Sequence, residues 1–299
     1  MSAFAVVLSH HGTVESMADM PAFLANVRRG RPAPPELVRE MVHRYEAIGG
    51  SPLMRESLAI AERLQPLVDA EVVVAGRLFS PYPKAVLGDL AARGVTKIVS
   101  APLAPQSVHV YHAAVREAAA PLGVEVVEIA PYGEDPELVR AAVESIDSVI
   151  EAASPPRPIV LTAHSLPTRI LRGGDPYERD FRAMAARVAA PFEVRGHPVC
   201  VAFQSQGQTD DEWLGPDLPT TFRTLAAAGH AEAILAPIGF VSEHVETLYD
   251  LDIEAPALAR AAGLARVLRA PAMGRRPAFA RALATAIVAA LARHSADAG

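Results

Sequence analysis

The chain has 299 residues, of which 51% are apolar and 21% are charged, and its formal net charge is −6. So large an apolar fraction can bury a sizeable core, which excludes disorder as the dominant state. The acidic balance argues against a nucleic-acid-binding protein, since phosphate contacts require a basic surface.

The single cysteine, Cys200, excludes an intrachain disulfide, a cysteine-ligated iron–sulfur cluster and a structural zinc site of the cysteine type. The apolar stretch near the start is too short for a signal peptide, and no run of 18 apolar residues occurs. We therefore expect a cytoplasmic protein without an integral membrane segment.

Short apolar runs alternate along the chain with longer amphipathic stretches, a pattern typical of parallel sheets with crossover helices. The runs are rich in Val, Ile and Ala, as expected for strands that are buried on both faces. The predicted strands are Phe4–Ser9, Glu71–Ala75, Lys97–Ala101, Val124–Ile129, Pro158–Thr162, Val199–Phe203, Ala233–Pro237 and Ala265–Leu268.

A proline-rich linker at Ala152–Pro158 divides these strands into two groups of four. We expect two similar α/β lobes, at residues 1–152 and 153–299, with an active-site cleft between them. Apolar residues at i+4 steps from Phe279 to Leu291 predict a final helix that packs back on the body of the protein.

Three polar clusters follow predicted strands, where ligands bind in open parallel sheets. They are His10–Thr13, Ala163–Pro167 and Ser242–Glu246. Imidazoles and carboxylates suit a divalent metal ion and also proton transfer near neutral pH. A single histidine after a strand is more often structural than functional, but Ser-Leu-Pro after His164 stops the strand abruptly and keeps the ring at the rim. His10 and His11 point in opposite directions in an extended segment, so at most one faces the cleft.

The stretch from Glu243 to Glu254 contains five acids and no lysine or arginine. On a helix, Glu243, Glu246 and Asp250 would share one face, at i, i+3 and i+7. One interpretation is a solvated acidic face. The other is a path for a cation. Carboxylates in a row repel one another and raise their own proton affinities, and a cation drawn along the row stabilises them.

A compact basic loop, Arg28–Arg31, stands out in this acidic chain, and Arg44 and Tyr45 precede a turn at Gly49–Gly50. The loop is either simply solvated or recognises an acidic small molecule, since guanidinium groups pair bidentately with carboxylates. The glycines allow the backbone to approach a flat ligand closely.

Four motifs together resemble the ferrochelatase family, enzymes that insert Fe²⁺ into a porphyrin in haem synthesis. They read RRGRPAPPEL…RYEAIGGSPL at 28–53, LTAHSLPTRI…GDPYERDF at 161–181, FQSQGQTDDEWLGPD at 203–217 and PIGFVSEHVETLYDLDIE at 237–254. The resemblance extends along nearly the whole chain. It implies two Rossmann-like lobes, each a four-stranded parallel sheet flanked by helices.

The resemblance implies catalytic roles for His164, which would face the macrocycle, and for Glu246, the opposing acid. Glu243, His244 and Asp250 match the polar helix beside the metal path, so the implied metal ligands are these three with the catalytic pair. The N-terminal half is most similar to the Gram-positive coproporphyrin III ferrochelatases. The residues that would line the porphyrin are His11, Arg28, Arg29, Arg44, Tyr45, Ser51 and Tyr111.

Two departures from the Gram-positive pattern stand out. His11 replaces a tyrosine that can bind haem iron axially, and Leu78–Phe79–Ser80 replaces a Lys-His pair. The resemblance implies a porphyrin and Fe²⁺ as substrates, no organic cofactor, no iron–sulfur cluster, and transient contact with neighbouring haem-pathway enzymes. Three alternatives remain: a chelatase for another metal and tetrapyrrole, such as cobalt with sirohydrochlorin; a non-catalytic haem- or porphyrin-binding protein; and a two-lobed binding protein for a small anion.

Overall fold

The computed structural model describes residues 4–151, 155–207 and 210–297, which form two parallel sheets with flanking helices. The strands are β1 (Ala5–His10), β2 (Glu71–Gly76), β3 (Lys97–Pro102), β4 (Glu125–Glu128), β5 (Ile159–His164), β6 (Val199–Gln204), β7 (Glu232–Ala236) and β8 (Arg266–Arg269). Every predicted strand is present, with ends that differ by at most two residues. The predicted α/β class with two four-stranded parallel sheets is therefore confirmed.

Helices follow most strands and cover the sheets. They are α1 (Met20–Val27), α2 (Pro35–Ala47), α3 (Leu53–Leu64), α4 (Pro83–Ala92), α5 (Val108–Ala119), α6 (Pro136–Asp147), α7 (Thr168–Arg172), α8 (Tyr177–Val194), α9 (Leu218–Ala227), α10 (Val245–Tyr249), α11 (Ala255–Ala262) and α12 (Pro277–Asp297). A π-helical turn, Asp250–Glu254, joins α10 to α11. No helix of the described ranges is both long enough and apolar enough to cross a membrane.

The strand order is β2-β1-β3-β4 in the first sheet and β6-β5-β7-β8 in the second. The first strand of each sheet thus has a neighbour on both sides, which explains why all six residues of β1 and five of the six in β5 are buried. Because every strand pair is parallel, the carboxyl ends within a sheet meet at one edge. In the second sheet this edge holds His164, in register with Gln204.

The chain forms two compact units, one of residues 1–132 with 279–299 and the other of residues 133–278. This division differs from the predicted boundary between residues 152 and 153, and residues 152–154 of the predicted linker lie outside the described part of the chain. The difference arises from packing: α6 precedes the linker but packs on α8 of the second unit. All but the first two residues of α12 belong to the first unit, where Phe279 contacts Tyr132 and His294 pairs with Glu125.

Candidate functional site

The predicted catalytic residues His164 and Glu246 are in direct contact. His164 ends β5, and its Nδ1 lies 3.1 Å from Oε2 of Glu246, which is the second residue of α10. The side chains are 32% and 35% exposed, respectively, so both are open to a ligand. Gln204 donates from Nε2 to the backbone carbonyl of Glu246 at 2.8 Å, which holds the start of α10 against the end of β6.

His244 caps α10 and so helps to place Glu246. The Nδ1 atom of His244 accepts the backbone N–H of Glu246 at 3.1 Å, and the backbone N–H of His244 donates to Thr247 Oγ1 at 3.0 Å. This reciprocal pair is a capping box in which a histidine replaces the usual serine or threonine. Burial, reinforced by the nearby His164, lowers the pKa of His244 despite the adjacent glutamates, which keeps Nδ1 available as an acceptor.

The electrostatics of the site favour the charged form of His164. Burial disfavours the imidazolium, but the Glu246 carboxylate, its hydrogen bond and the charge of Asp250 outweigh burial, and the pKa of His164 is raised. A proton that reaches this imidazole is therefore held more firmly than on an ordinary histidine. The pair thus places the Glu246 carboxylate beside an imidazole, that of His164, whose proton affinity is raised.

Asp250 begins the π-helical turn, and its side chain is fixed from the neighbouring strand. The Ser205 hydroxyl donates to Asp250 Oδ2, and Ser205 itself adopts a left-handed backbone conformation, with φ +60°. A non-glycine residue rarely adopts that conformation unless its surroundings impose it. The residue after β6 thus directs its hydroxyl at a carboxylate whose charge acts on His164.

Glu243 does not share the helical face that the sequence predicts for it. It precedes the N-cap of α10, and Arg269 Nη1 and the Ala272 N–H each donate to its Oε1 at 2.8 Å. The Thr247 hydroxyl donates to its Oε2 at 2.7 Å. Burial would raise the pKa of Glu243, but Arg269 and these hydrogen bonds lower it. The predicted rise in the proton affinity of Glu243 is therefore wrong. Arg269, at the end of β8, supplies the positive charge that the acidic segment itself lacks.

Among the described residues, no three His, Cys, Asp or Glu side chains are gathered so that they could hold a metal ion. The second unit brings His164 and Glu246 together, with His244 and Asp250 beside them. Metal binding by these four residues and by Glu243 stays a prediction.

The cluster after β1 separates its two histidines as the sequence predicts. His11 is exposed, and its ring edge packs near Phe23 at 6.2 Å between centroids. His10 is 2% exposed and accepts the Gly12 N–H at Nδ1. Its Nε2 is buried without a hydrogen-bond partner in the described chain, and burial lowers the pKa of His10 to about 4.

The predicted porphyrin-lining residues all belong to the first unit. Arg28 is the C-cap of α1, and Arg29 follows in a left-handed conformation with φ +58°. Arg44 pairs with Glu40 at 2.7 Å. Tyr45 is 2% exposed.

Three of these side chains have contacts within the first unit. The Tyr45 hydroxyl lies 3.1 Å from Thr13 Oγ1, and Ser51 Oγ accepts the N–H of Leu53 at the start of α3. The Arg77 guanidinium lies 5.6 Å from the centroid of the Tyr111 ring. Porphyrin contacts by the residues of this set stay predictions.

Sequence reasoning did not single out Gln204, Ser205, Thr247 or Arg269. The first two lie in the motif at 203–217 and directly follow the apolar core of a predicted strand, which is a signal that could have found them. Thr247 lies in the motif at 237–254, whereas Arg269 lies outside all four motifs and carries no comparable signal, because its partners are set by tertiary packing.

Comparison with known proteins places these motifs in context. The model of a family described as Ferrochelatase matches residues 3–291. A ferrochelatase of Thermus thermophilus is 34% identical over 89% of this chain and 92% of its own length. A coproporphyrin III ferrochelatase of Bacillus pumilus is 29% identical over 93% of this chain and 94% of its own length. The solved structure of SirB from Bacillus subtilis with Fe³⁺ matches with a TM-score of 0.62 at 16% identity, covering 98% of this chain and 97% of that one, and so shares its fold.

Proposed function

The chain belongs to the ferrochelatase family, and from that premise we propose that it inserts Fe²⁺ into coproporphyrin III with His164 and Glu246 as catalytic residues. Ferrochelatases are enzymes of haem biosynthesis, and a porphyrin and iron are their substrates. The choice of porphyrin and the roles of individual residues are the parts proposed here.

The contact between His164 Nδ1 and Glu246 Oε2 carries the proposal. Metal insertion requires that two pyrrole N–H protons leave the ring and that Fe²⁺ exchange its water for ring nitrogens. An imidazole whose pKa is raised by a neighbouring carboxylate accepts such a proton and holds it beside that carboxylate. Glu246 and Asp250 supply the negative charge that favours the approach of a divalent cation.

The proposal includes no organic cofactor, since proton removal and metal exchange need only acids, bases and ligands. It also includes no iron–sulfur cluster, because the chain has one cysteine, Cys200. Iron takes part as a substrate.

The arginines of the first unit support coproporphyrin over protoporphyrin. Coproporphyrin carries four propionates and protoporphyrin carries two, so a porphyrin site that Arg28, Arg29 and Arg44 line, as the resemblance implies, gains more from the former. A partly dry arginine–carboxylate pair contributes on the order of 1–3 kcal/mol. A fully solvated pair contributes roughly 0–1 kcal/mol and is screened by salt.

Anaerobic incubation with Fe²⁺ and either coproporphyrin III or protoporphyrin IX tests the proposal, with loss of porphyrin fluorescence as the signal. We expect kcat/KM to be at least about tenfold higher for coproporphyrin III, equivalent to ~1.4 kcal/mol. Added salt and Arg28→Ala should both reduce this preference. Arg39→Ala is the control, because Arg39 lies on α2 with 70% of its side chain exposed.

Equal kcat/KM values for the two porphyrins would overturn the substrate assignment and leave the reaction class intact. Porphyrin binding without any metal insertion would instead indicate a non-catalytic binding protein. A parallel incubation of Co²⁺ with sirohydrochlorin covers the remaining chelatase alternative, and faster turnover in that arm would replace the proposed substrates.

A further inference from the structure

Arg269, the last residue of β8, is a largely buried cation beside the helix that carries Glu246. Its side chain is 15% exposed. Nε and Nη2 donate to the two carboxylate oxygens of Asp252 at 2.6 and 2.9 Å, and Nη1 donates to Glu243 Oε1 at 2.8 Å. Glu243 precedes α10 and Asp252 follows it, so one guanidinium joins the two segments that flank this helix.

The contacts continue from Glu243 to the N-cap of α10. The Thr247 hydroxyl donates to Glu243 Oε2 at 2.7 Å, and Thr247 Oγ1 accepts the backbone N–H of His244 at 3.0 Å. The Nδ1 atom of His244 in turn accepts the backbone N–H of Glu246. A connected set of hydrogen bonds therefore leads from Arg269 to the backbone of Glu246.

The short helix depends on such outside contacts for its geometry. α10 has five residues and continues through the π-helical turn into α11, but the first backbone N–H groups of a helix have no partner within it and need outside contacts. A guanidinium is planar and donates in fixed directions, so two carboxylates that it binds are held at a fixed separation. The Glu243 side chain is 12% exposed and the Asp252 side chain is 40% exposed. Solvent therefore screens the Arg269–Glu243 contact less than the Arg269–Asp252 contact.

We propose that Arg269 is a positioning residue for metal insertion, which fixes both ends of α10 and thereby holds the Glu246 carboxylate opposite His164. The proposal rests on the proposed function of the His164–Glu246 pair. It assigns to Arg269 no contact with either substrate.

Arg269→Gln and Arg269→Lys test this role, with Arg266→Gln as the matched control. Arg266 is the first residue of the same strand and is exposed. We expect Arg269→Gln to lower kcat at least about tenfold while KM for coproporphyrin III changes less than about twofold. Arg269→Lys should be intermediate, because one ammonium pairs with a carboxylate but cannot form the fork to both. Arg266→Gln should match the wild type.

Amide hydrogen exchange of the metal-free, porphyrin-free protein provides a readout that does not depend on activity. Arg269→Gln should speed exchange at residues 244–250 and leave β5 and β6 unchanged. Faster exchange throughout the second unit, or equal losses of porphyrin affinity and kcat, would mean a general structural role and overturn the proposal.

Wild-type kcat and exchange in Arg269→Lys would also overturn it, and that variant decides the question if Arg269→Gln does not fold. A wild-type protein that inserts no metal would overturn the proposed function alone, since exchange at 244–250 still decides whether Arg269 positions α10.

Discussion

At the scale of single residues, the chemistry of His164 depends on a partner that is 82 positions away in the chain. The location of this histidine was predictable, because a polar residue that ends a buried strand lies at the ligand-binding edge of a parallel sheet. Its contact with Glu246 followed from the family resemblance and not from spacing. Arg269 was not predictable, because an arginine that ends a short strand looks like any solvated residue until the fold brings Glu243 and Asp252 to it.

Replacing His164 by alanine should abolish metal insertion and leave the fold intact. The ring is the proposed proton acceptor, and it ends β5 outside the buried apolar core, with 32% of its side chain exposed. We expect kcat to fall by more than about tenfold, or ~1.4 kcal/mol of barrier, with a nearly unchanged Tm at pH 9, where the charged pair no longer contributes to stability. Fluorescence assays and thermal unfolding measure the two quantities, with the exposed His43→Ala as control. Retention of more than about a tenth of the wild-type rate would contradict the role.

The stability that Glu246→Gln loses should depend on pH in a defined direction. Glu246 raises the pKa of His164 above its ordinary value near 6.5, so the pair stabilises the fold below about pH 6.5 and this contribution disappears as pH rises through the raised pKa. The variant should therefore lose more unfolding free energy at pH 6 than at pH 9. Urea unfolding at both pH values measures this, and an equal loss at both would show that the contact is not electrostatic.

At the scale of elements, the strands were predictable and the acidic helix was not. Strands buried on both faces leave continuous apolar runs in the sequence. The segment at 243–254 was predicted as one helix, but it begins at a histidine N-cap and passes into a π-helical turn at Asp250. The N-cap is formed within the segment by His244 and Thr247, whereas Ser205 and Arg269 contact the π-helical turn from other elements, and the local pattern does not show those contacts.

The turn after β1 should tolerate no side chain at Gly12. Its φ is +107°, and a Cβ there would lie 2.6 Å from the backbone nitrogen of Phe79. Gly94 has φ +86° with open space around it, so Gly94→Ala costs only the conformational penalty of about 1 kcal/mol. We expect Gly12→Ala to destabilise the protein by at least about 1–2 kcal/mol more than Gly94→Ala, because backbone must move. Equal midpoints of urea unfolding for the two variants would refute this close approach.

At the scale of the whole molecule, two α/β units were predictable, but the assignment of α6 and α12 to them was not. A proline-rich stretch indicated a boundary by composition, whereas α6 packs with α8 on the far side of that stretch. The ring of Phe279 and the ion pair of His294 with Glu125 assign α12 to the first unit. Such long-range contacts leave no signal in the local sequence.

His10 should contribute measurably to acid unfolding of the whole chain. Its pKa is about 4 in the folded state and near 6.5 when unfolded, so unfolding takes up a proton between these values. Stability is therefore full above about pH 6.5 and falls toward pH 4, by about 3 kcal/mol for this group. His10→Asn keeps an acceptor for the Gly12 N–H and cannot be charged, so its stability should decline less between pH 7 and pH 4. If urea unfolding shows the same loss of stability between pH 7 and pH 4 for the wild type and for His10→Asn, the contribution of His10 is contradicted.

The common strand order of the two sheets makes this chain a pair of topological copies with unequal chemistry. β1 and β5 are each six residues long, occupy the same place in their sheets and end in histidine. After the third strand of the second copy comes Glu246, whereas residues 103–116 after β3 contain no acid. Burial lowers the pKa of the His10 imidazole, whereas Glu246 and Asp250 raise that of its counterpart, His164. The two copies thus share a strand order, whereas the burial of the terminal histidine and the acids that follow the third strand give each ring its own proton affinity.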